Sequence, residues 1–344
     1  MTSNESRIDL LHKDRDPRKT NYFFHLLRRH QDVIRLWRLY GIMAGMSVDK
    51  DQVEHERTWG HTVRAKNEHE FHRRKHFAPE HMSTVIAGCR ALGDLLINKS
   101  LLTEESVLQV EKAAAVHDAG KELEYVLVSR SLQAPLTNVE EVLDELNVTI
   151  GNQSQLDQEI GNYREALSGD SAGFRALAAY DLAQAINSLR LKEAGFSPEL
   201  IRLQSVVGHS SCPEIEDLLS GYQRLSPDEQ KTALMMFILH YIDDVTTNPN
   251  VIDPQITQGE DGVYQNALDR RCAQNERNPK YAEYNLAWRE DRRNRTNETA
   301  FSMQRRVGHL VEMLLADKLG IDNPLSLPMV VNEQVQQNIL SFNQ

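Results

Sequence analysis

Apolar and polar residues alternate with a helical period along almost the whole chain, and runs that alternate as a β-strand does are scarce. From residue 81, positions at spacings of three and four share one helix face, which carries His81, Val85, Cys89, Leu92 and Leu96. A second helix is predicted to start near Thr103 and to run to Asp118 before Gly120 ends it. The pattern therefore predicts an all-α fold in which His81 heads an inward helix face.

The stretch KAAAVHDAGKELE, at residues 112–124, places a polar pair within an apolar pattern. Ala114 and His117 share the inner face of the predicted helix, and Asp118 follows directly. A run of alanines suits close packing between helices, but such packing gives an aspartate no role. Asp118 therefore calls for a cationic partner.

A helix late in the chain also places charged residues within an apolar pattern. Its start is marked by the capping sequence Ser226-Pro227-Asp228-Glu229, and ALMMFILHYIDDVTTNP follows, which is apolar on nearly all faces. The helix nevertheless contains His240, Asp243 and Asp244. A buried carboxylate without a partner costs several kcal/mol or becomes protonated. An arginine or a helix cap would satisfy one isolated aspartate, whereas a divalent metal would satisfy all the inward groups, namely His81, His117, Asp118 and Asp243.

Composition narrows the class of protein. The chain has 344 residues, 40% of them hydrophobic, which predicts one large domain with additions or two domains. A formal net charge of −11 argues against nucleic acid as a partner. Three cysteines without a CxxC spacing, a polar start, and an apolar run (233–239) too short to cross a bilayer predict a cytoplasmic protein without a membrane partner.

Two segments differ from the central pattern. Residues 22–43 have the spacing of an amphipathic helix with arginines on its outer face. Residues 129–172 are rich in Asn, Gln, Ser and Gly and are predicted to be a polar insertion or lid that buries little.

The residues proposed to bind a metal resemble the motifs of a known family, the HD-domain metal-dependent phosphohydrolases. The matching pieces are His81 in HMSTVIAGCRALGDLL, His117-Asp118 in AAAVHDAGK and Asp243 in LHYIDDVT. The resemblance covers roughly residues 76–255 and implies an HD-type helical core there, with 129–172 inside it. Residues 1–75 and 256–344 would then be N-terminal and C-terminal helical extensions.

The resemblance implies one divalent metal ion held by His81, His117, Asp118 and Asp243. Mn, Fe, Co, Ni, Zn and Mg are not distinguished. Asp243 is preferred to Asp244 because the first aspartate of YIDDVT fits the family pattern better, but the ligand could lie one residue later. His209, Asp244 and His240 are possible additional ligands, although His240 is expected to be a core hydrogen-bonding residue. HD-domain proteins that bind two metals carry further histidines after the His-Asp pair. This chain has Tyr180 and Asp181 in the corresponding segment, which favours a single metal.

Such a site predicts hydrolysis of a phosphoester or phosphoanhydride in a small nucleotide-like substrate, because a divalent ion polarises a phosphoryl oxygen and acidifies water. Asp118 or Glu122 would transfer the proton, and Lys121 would reach a phosphate or be a solvated surface residue. The alternatives are a metal-binding HD module with a regulatory or scaffold role and, less favoured, an HD-type oxygenase. The oligomeric state is left open.

Arginine pairs outside the acidic centre suggest how an anionic substrate is attracted. Residues 270–310 contain Arg270-Arg271, Arg292-Arg293 and Arg305-Arg306. Any single pair is expected to be a solvated helix face. Together, some of them are predicted to form a collar for a multiply charged phosphate.

Overall fold

The all-α prediction is confirmed. The computed structural model describes residues 17–33, 79–146, 148–167, 171–248, 251–259, 262–277 and 281–344. In its first half the helices are α1 (Pro17–Arg28), α2 (Pro79–Asn98), α3 (Glu104–Ala114), α4 (Lys121–Gln133), α5 (Val139–Glu145), α6 (Gln153–Ala166) and α7 (Ala172–Glu193). In its second half they are α8 (Pro198–Gln204), α9 (Cys212–Gly221), α10 (Pro227–Val245), α11 (Ala267–Arg277), α12 (Ala282–Ala287), α13 (Ala300–Leu319) and α14 (Leu327–Phe342).

Short β-structure follows the buried helix α10. Strand β1 (Thr246–Asn248) pairs antiparallel with β2 (Val251–Ile252), and β3 (Thr257–Gln258) pairs antiparallel with β4 (Tyr264–Gln265). Short 3₁₀ turns lie at His209–Ser211, Tyr222–Arg224, Trp288–Glu290 and Pro324–Ser326. The two hairpins connect α10 to α11, and the C-terminal helices pack beside the central ones.

Helix boundaries follow their local capping signals. The Thr103 hydroxyl accepts a hydrogen bond from the Ser106 amide at the start of α3, and Ser226 forms a reciprocal capping box with Glu229 at the start of α10. The expected end of α3 is wrong, because the helix stops at Ala114 rather than at Asp118. Residues 115–120 form turns instead, since the chain must redirect into α4.

The main hydrophobic core surrounds α10. From Ala233 to Val245 every residue of α10 except Met235 is buried, in agreement with its apolar sequence. Helix α2 approaches it closely at Gly88, where an added Cβ would lie 2.7 Å from side-chain atoms of both Ile242 and Ile252. The glycine thus allows the contact that brings α2 and α10 together.

A second hydrophobic cluster lies where a polar insertion was expected. It joins α4 and α7 to α5 and α6, and six of its buried residues fall within 129–172: Val139, Val142, Leu143, Leu156, Ile160 and Tyr163. The prediction that this segment buries little is therefore wrong. Its polar residues occupy the outer faces of helices whose inner faces are apolar.

The helix expected over residues 22–43 is interrupted after Arg28, and residues 31–33 are helical again. Phe23 and Leu27 are buried as expected, but α1 ends at Arg28, and the later part of the 22–43 pattern lies outside the described residues. Arg29 pairs with Glu104 at 2.8 Å and His30 with the buried Glu111 at 3.1 Å, which ties this region to α3. The predicted domain boundaries stay predictions.

Within the described residues, no helix has the length and apolar character needed to cross a membrane.

Candidate metal centre

Three side chains from separate segments converge at one point. Nε2 of His81 and Nε2 of His117 each lie 3.4 Å from Oδ1 of Asp243. One potential ligand atom from each residue lies within 4.8 Å of the others. Two imidazole nitrogens and a carboxylate oxygen at these distances form a group that could hold a metal ion.

Different local structures position the three groups. His81 lies in the first turn of α2, at the head of its inward face, and Asp243 lies near the end of α10. His117 lies in the turns between α3 and α4, where its Nδ1–H donates a 2.6 Å hydrogen bond to the carbonyl oxygen of Ala114. The last residue of α3 therefore orients the imidazole through a backbone hydrogen bond.

The hydrogen bond from Nδ1 determines what the other ring nitrogen can do. A carbonyl oxygen can only accept, so Nδ1 carries a proton and, in the neutral ring, Nε2 presents a lone pair. Nε2 of His117 is buried and has no hydrogen-bond partner. A histidine whose Nδ1–H is held by a backbone carbonyl while Nε2 faces other ligands is the usual arrangement of a metal-binding imidazole. The residues thus fit a metal ion.

Neighbouring charges shift the pKa values of His117 and Asp243 in opposite directions. Burial lowers the pKa of His117, but the carboxylates of Asp118 and Asp243 outweigh it and raise this pKa to about 9. Burial opposes ionisation of Asp243, yet the Arg271 guanidinium and the two imidazoles hold its pKa well below the usual range. Without a metal, the proton on His117 supplies part of the positive charge that Asp243 requires.

Asp118 lies beside the same imidazoles. Its Oδ2 is 3.5 Å from Nε2 of His81 and 3.6 Å from Nε2 of His117. The Asp118 side chain is 12% exposed, similar to the 13% of His81, so this side of the cluster is within reach of solvent. Asp118 therefore lies beside the group formed by His81, His117 and Asp243, but it is not one of that group's possible ligands.

Asp244 and His240 point into a different environment. Asp244 accepts a 2.5 Å hydrogen bond from Gln304, and its other oxygen is 3.6 Å from Nε2 of His240. His240 donates through Nδ1 to the carbonyl oxygen of Val206 at 2.7 Å. Both side chains are fully buried, and neither belongs to the group of possible metal ligands among the described residues. The geometry thus separates the two adjacent aspartates of α10.

His209 likewise lies in another cluster, formed by aromatic rings. Its Nε2 makes a 2.5 Å hydrogen bond with the hydroxyl of Tyr284, and its ring packs edge-on to Trp288. Burial, with the nearby charges of Arg293 and Lys121, lowers the pKa of His209 to about 3, so the ring is neutral. Tyr180 hydrogen-bonds Ser210 at 3.0 Å. His209 is not among the possible ligands grouped with His81 in the described structure.

Lys121 is paired with a glutamate that the sequence interpretation missed. Its Nζ lies 2.7 Å from Oε1 of Glu124, and Gln184 donates to the other oxygen of Glu124 at 3.1 Å. Burial lowers the pKa of Lys121, but the carboxylates of Glu124 and Asp118 more than offset this and raise it. The side chain of Glu122 lies outside the described residues. The spacing of three residues between Lys121 and Glu124 on one helix was the available signal.

Gly120 of the AGK stretch has a steric role. An added Cβ would lie 2.7 Å from Cγ and 2.9 Å from Cβ of Asn187, a buried residue of α7. The glycine therefore lets α7 approach the turn that carries His117 and Asp118.

Of the predicted arginine collar, Arg271 contacts the site. Its Nη1 donates to the main-chain carbonyl oxygen of Asp243, and its Nη2 lies 3.8 Å from Oδ2 of the same residue. Arg293 instead pairs with Asp291 and Asp181 at 2.7 and 2.8 Å, and Arg306 pairs with Glu216 and Glu298 at 2.5 and 2.8 Å. The sequence offered no signal that would single out Arg271, because its proximity to Asp243 depends on how α11 packs.

The resemblance to HD-domain proteins is carried by the residues of this cluster. No family model, curated protein or solved structure matches the chain. The family assignment therefore stays a prediction from His81, His117-Asp118 and Asp243.

Proposed function

We propose that this protein is a metal-dependent hydrolase that cleaves a phosphoester or phosphoanhydride in a small nucleotide-like substrate. The observation that supports this most is the convergence of His81, His117 and Asp243 with an unpartnered Nε2 on His117. A structural metal site is usually closed by protein ligands, whereas catalytic sites keep a position open for water or substrate. The partial exposure of His81 and Asp118 favours the second kind of site.

One divalent ion would be held by His81, His117 and Asp243, with Asp118 as the further ligand that the resemblance implies. Such an ion supplies Lewis acidity toward a phosphoryl oxygen and lowers the pKa of water. Nitrogen and oxygen donors suit several first-row transition metals as well as Mg²⁺. The separate hydrogen bonds of Asp244, His240 and His209 support one ion rather than two.

The chain's own charged groups would bind the substrate and transfer protons. Asp118 is a solvent-accessible carboxylate beside both imidazoles, so it can accept a proton from attacking water. Lys121 is 40% exposed and can contact a phosphate while Glu124 holds its ammonium group in place. Glu124 is thus a positioning residue for Lys121.

The test combines metal analysis with a phosphate-release screen. Purified protein would be assayed with Mn²⁺, Co²⁺, Mg²⁺ or Ni²⁺ against nucleoside monophosphates, nucleoside triphosphates and cyclic nucleotides. For the cyclic nucleotides, formation of the monophosphate would be measured instead. We expect metal-dependent hydrolysis of at least one class and its loss in the double variant His117→Ala/Asp118→Ala. That variant should keep its helical circular dichroism because the replaced residues lie in turns.

Two results would count against the proposal. Equal metal content in the wild type and the double variant would reject the metal site. Stoichiometric metal binding without hydrolysis of any class would favour the regulatory or scaffold module instead.

A further inference from the structure

We propose that Arg271 is a substrate-binding residue of this site, whose guanidinium contacts a phosphate oxygen beside the metal position. This inference rests on the proposed function and adds to it a residue from the C-terminal region, outside the part of the chain that resembles HD-domain proteins.

The two oxygens of Asp243 face different partners. Both imidazoles lie 3.4 Å from Oδ1, whereas the Arg271 guanidinium lies 3.8 Å from Oδ2 and also donates to the main-chain carbonyl of Asp243. The arginine is therefore next to the metal position without competing for the oxygen that faces the histidines. This places a permanent positive charge at the edge of the cluster.

The guanidinium has capacity left for an anion. It carries five N–H donors, and the Asp243 contacts engage Nη1 and Nη2. The Arg271 side chain is 27% exposed, compared with 9% for Asp243, so it is the more accessible of the two to a ligand from solvent. A guanidinium fork matches the oxygens of a phosphate and can bind two of them at once.

Charge balance gives this arginine a function. Asp118, Asp243 and Glu124 would repel an anionic substrate, and Lys121 is already paired with Glu124 at 2.7 Å. A divalent ion and Lys121 together would offset these three negative charges and leave no excess positive charge for the substrate. Arg271 supplies a further cation at the place where the phosphate must approach.

Packing fixes where Arg271 lies. The next residue, Cys272, is buried, as are Ala267 and Leu268 on the same helix. Gly308 of α13 allows the close approach, since an added Cβ there would lie 2.7 Å from Leu268. Helix α11 is thus packed against the core, and this packing sets the position of Arg271.

The neighbouring arginine has a different role and provides a matched control. Arg270 pairs with Asp253 at 2.6 Å and donates to the carbonyl oxygens of Gln255 and Gln265. Its contacts connect the second β-hairpin, and the segment that precedes it, to α11. Removing Arg270 changes the net charge by the same amount as removing Arg271 without altering a contact to Asp243.

The experiment measures two affinities by isothermal titration calorimetry, Mn²⁺ for the metal-free protein and inorganic phosphate for the Mn²⁺-loaded protein. The variants are Arg271→Gln, Arg271→Lys and Arg270→Gln. We expect Arg271→Gln to weaken phosphate binding at least about tenfold, because a charge-assisted contact is lost. Arg271→Lys should show a smaller loss, and Arg270→Gln should match the wild type. Mn²⁺ should bind Arg271→Gln no more weakly than wild type, since a repelling charge is removed.

Three results would overturn the inference. They are an unchanged phosphate affinity in both Arg271 variants, no phosphate binding to the loaded wild type, and a tenfold loss of Mn²⁺ affinity in Arg271→Gln. The last result would make Arg271 a positioning residue for Asp243. Failure of the proposed function is distinguishable, because phosphate would then bind in an Arg271-dependent manner while no phosphate compound is hydrolysed.

Discussion

His117 Nε2 lies 3.4 Å from Asp243 Oδ1, too far for a good hydrogen bond and close enough for both atoms to bind one metal ion. Without a metal the contact is an ion pair between an imidazolium and a carboxylate. A metal ion would replace the proton on Nε2, so metal binding and protonation compete at this atom.

The first prediction follows from this competition. The pKa of His117 is raised to about 9, so its ring is protonated at pH 7, and binding of Mn²⁺ should release close to one proton. The apparent affinity should rise roughly tenfold per pH unit up to about pH 9. Calorimetry at pH 7, in buffers of different ionisation enthalpy, counts the protons. Equal Mn²⁺ affinity at pH 6.5 and 8.5 would contradict this competition between the metal and the proton.

The raised pKa of His117 also determines how the stability of the metal-free protein depends on pH. Because the folded-state pKa is raised, His117 stabilises the fold fully below the unfolded pKa of 6.5, and this contribution is lost as the pH rises through about 9.

The second prediction separates the adjacent aspartates of α10. Asp243→Asn should weaken Mn²⁺ binding by at least about a hundredfold, since it removes the carboxylate that both imidazoles face. Asp244→Asn should bind Mn²⁺ almost as wild type does, because an asparagine oxygen can still accept from Gln304. Atomic absorption after dialysis measures the retained metal. The reverse ranking would move the ligand to Asp244.

The third prediction concerns the glycine that precedes Lys121. Gly120→Ala should cost about 1–3 kcal/mol of unfolding free energy, because the new Cβ would overlap the Asn187 side chain near its own Cβ. Gly161→Ala is the control, since its added Cβ has no atom within 4 Å and lies in helix α6. That change should stabilise the protein by roughly 0.5–1 kcal/mol. Urea unfolding of both variants is the measurement, and equal effects would refute the steric role of Gly120.

The fourth prediction tests the second hydrophobic cluster. Ile160→Ala should destabilise the protein by about 2–5 kcal/mol, because the Ile160 side chain is buried among α4, α5, α6 and α7. Val263→Ala, at a residue 57% exposed, should change the unfolding free energy by less than about 0.5 kcal/mol. Thermal and urea unfolding would compare them. If Ile160→Ala unfolds like the wild type, residues 129–172 form a dispensable segment after all.

Local patterns were sufficient for much of this protein. The period of apolar residues predicts the helices and the burial of α10, and Thr103 and Ser226 mark helix starts, because these features depend on residues a few positions apart. The same patterns showed polar groups on otherwise apolar faces, among them His81 and Asp243. A buried charge is costly wherever it occurs, so the need for a partner could be inferred without knowing the partner.

Tertiary packing was needed to decide which groups meet. Arg271 reaches Asp243 only because α11 packs beside α10, and Gln184 reaches Glu124 only because α7 packs against α4. The burial of Ile160 depends on four helices that pack together, while its surrounding sequence is polar. Contacts of this kind are set by how separate helices pack at a distance along the chain, and no local period encodes them.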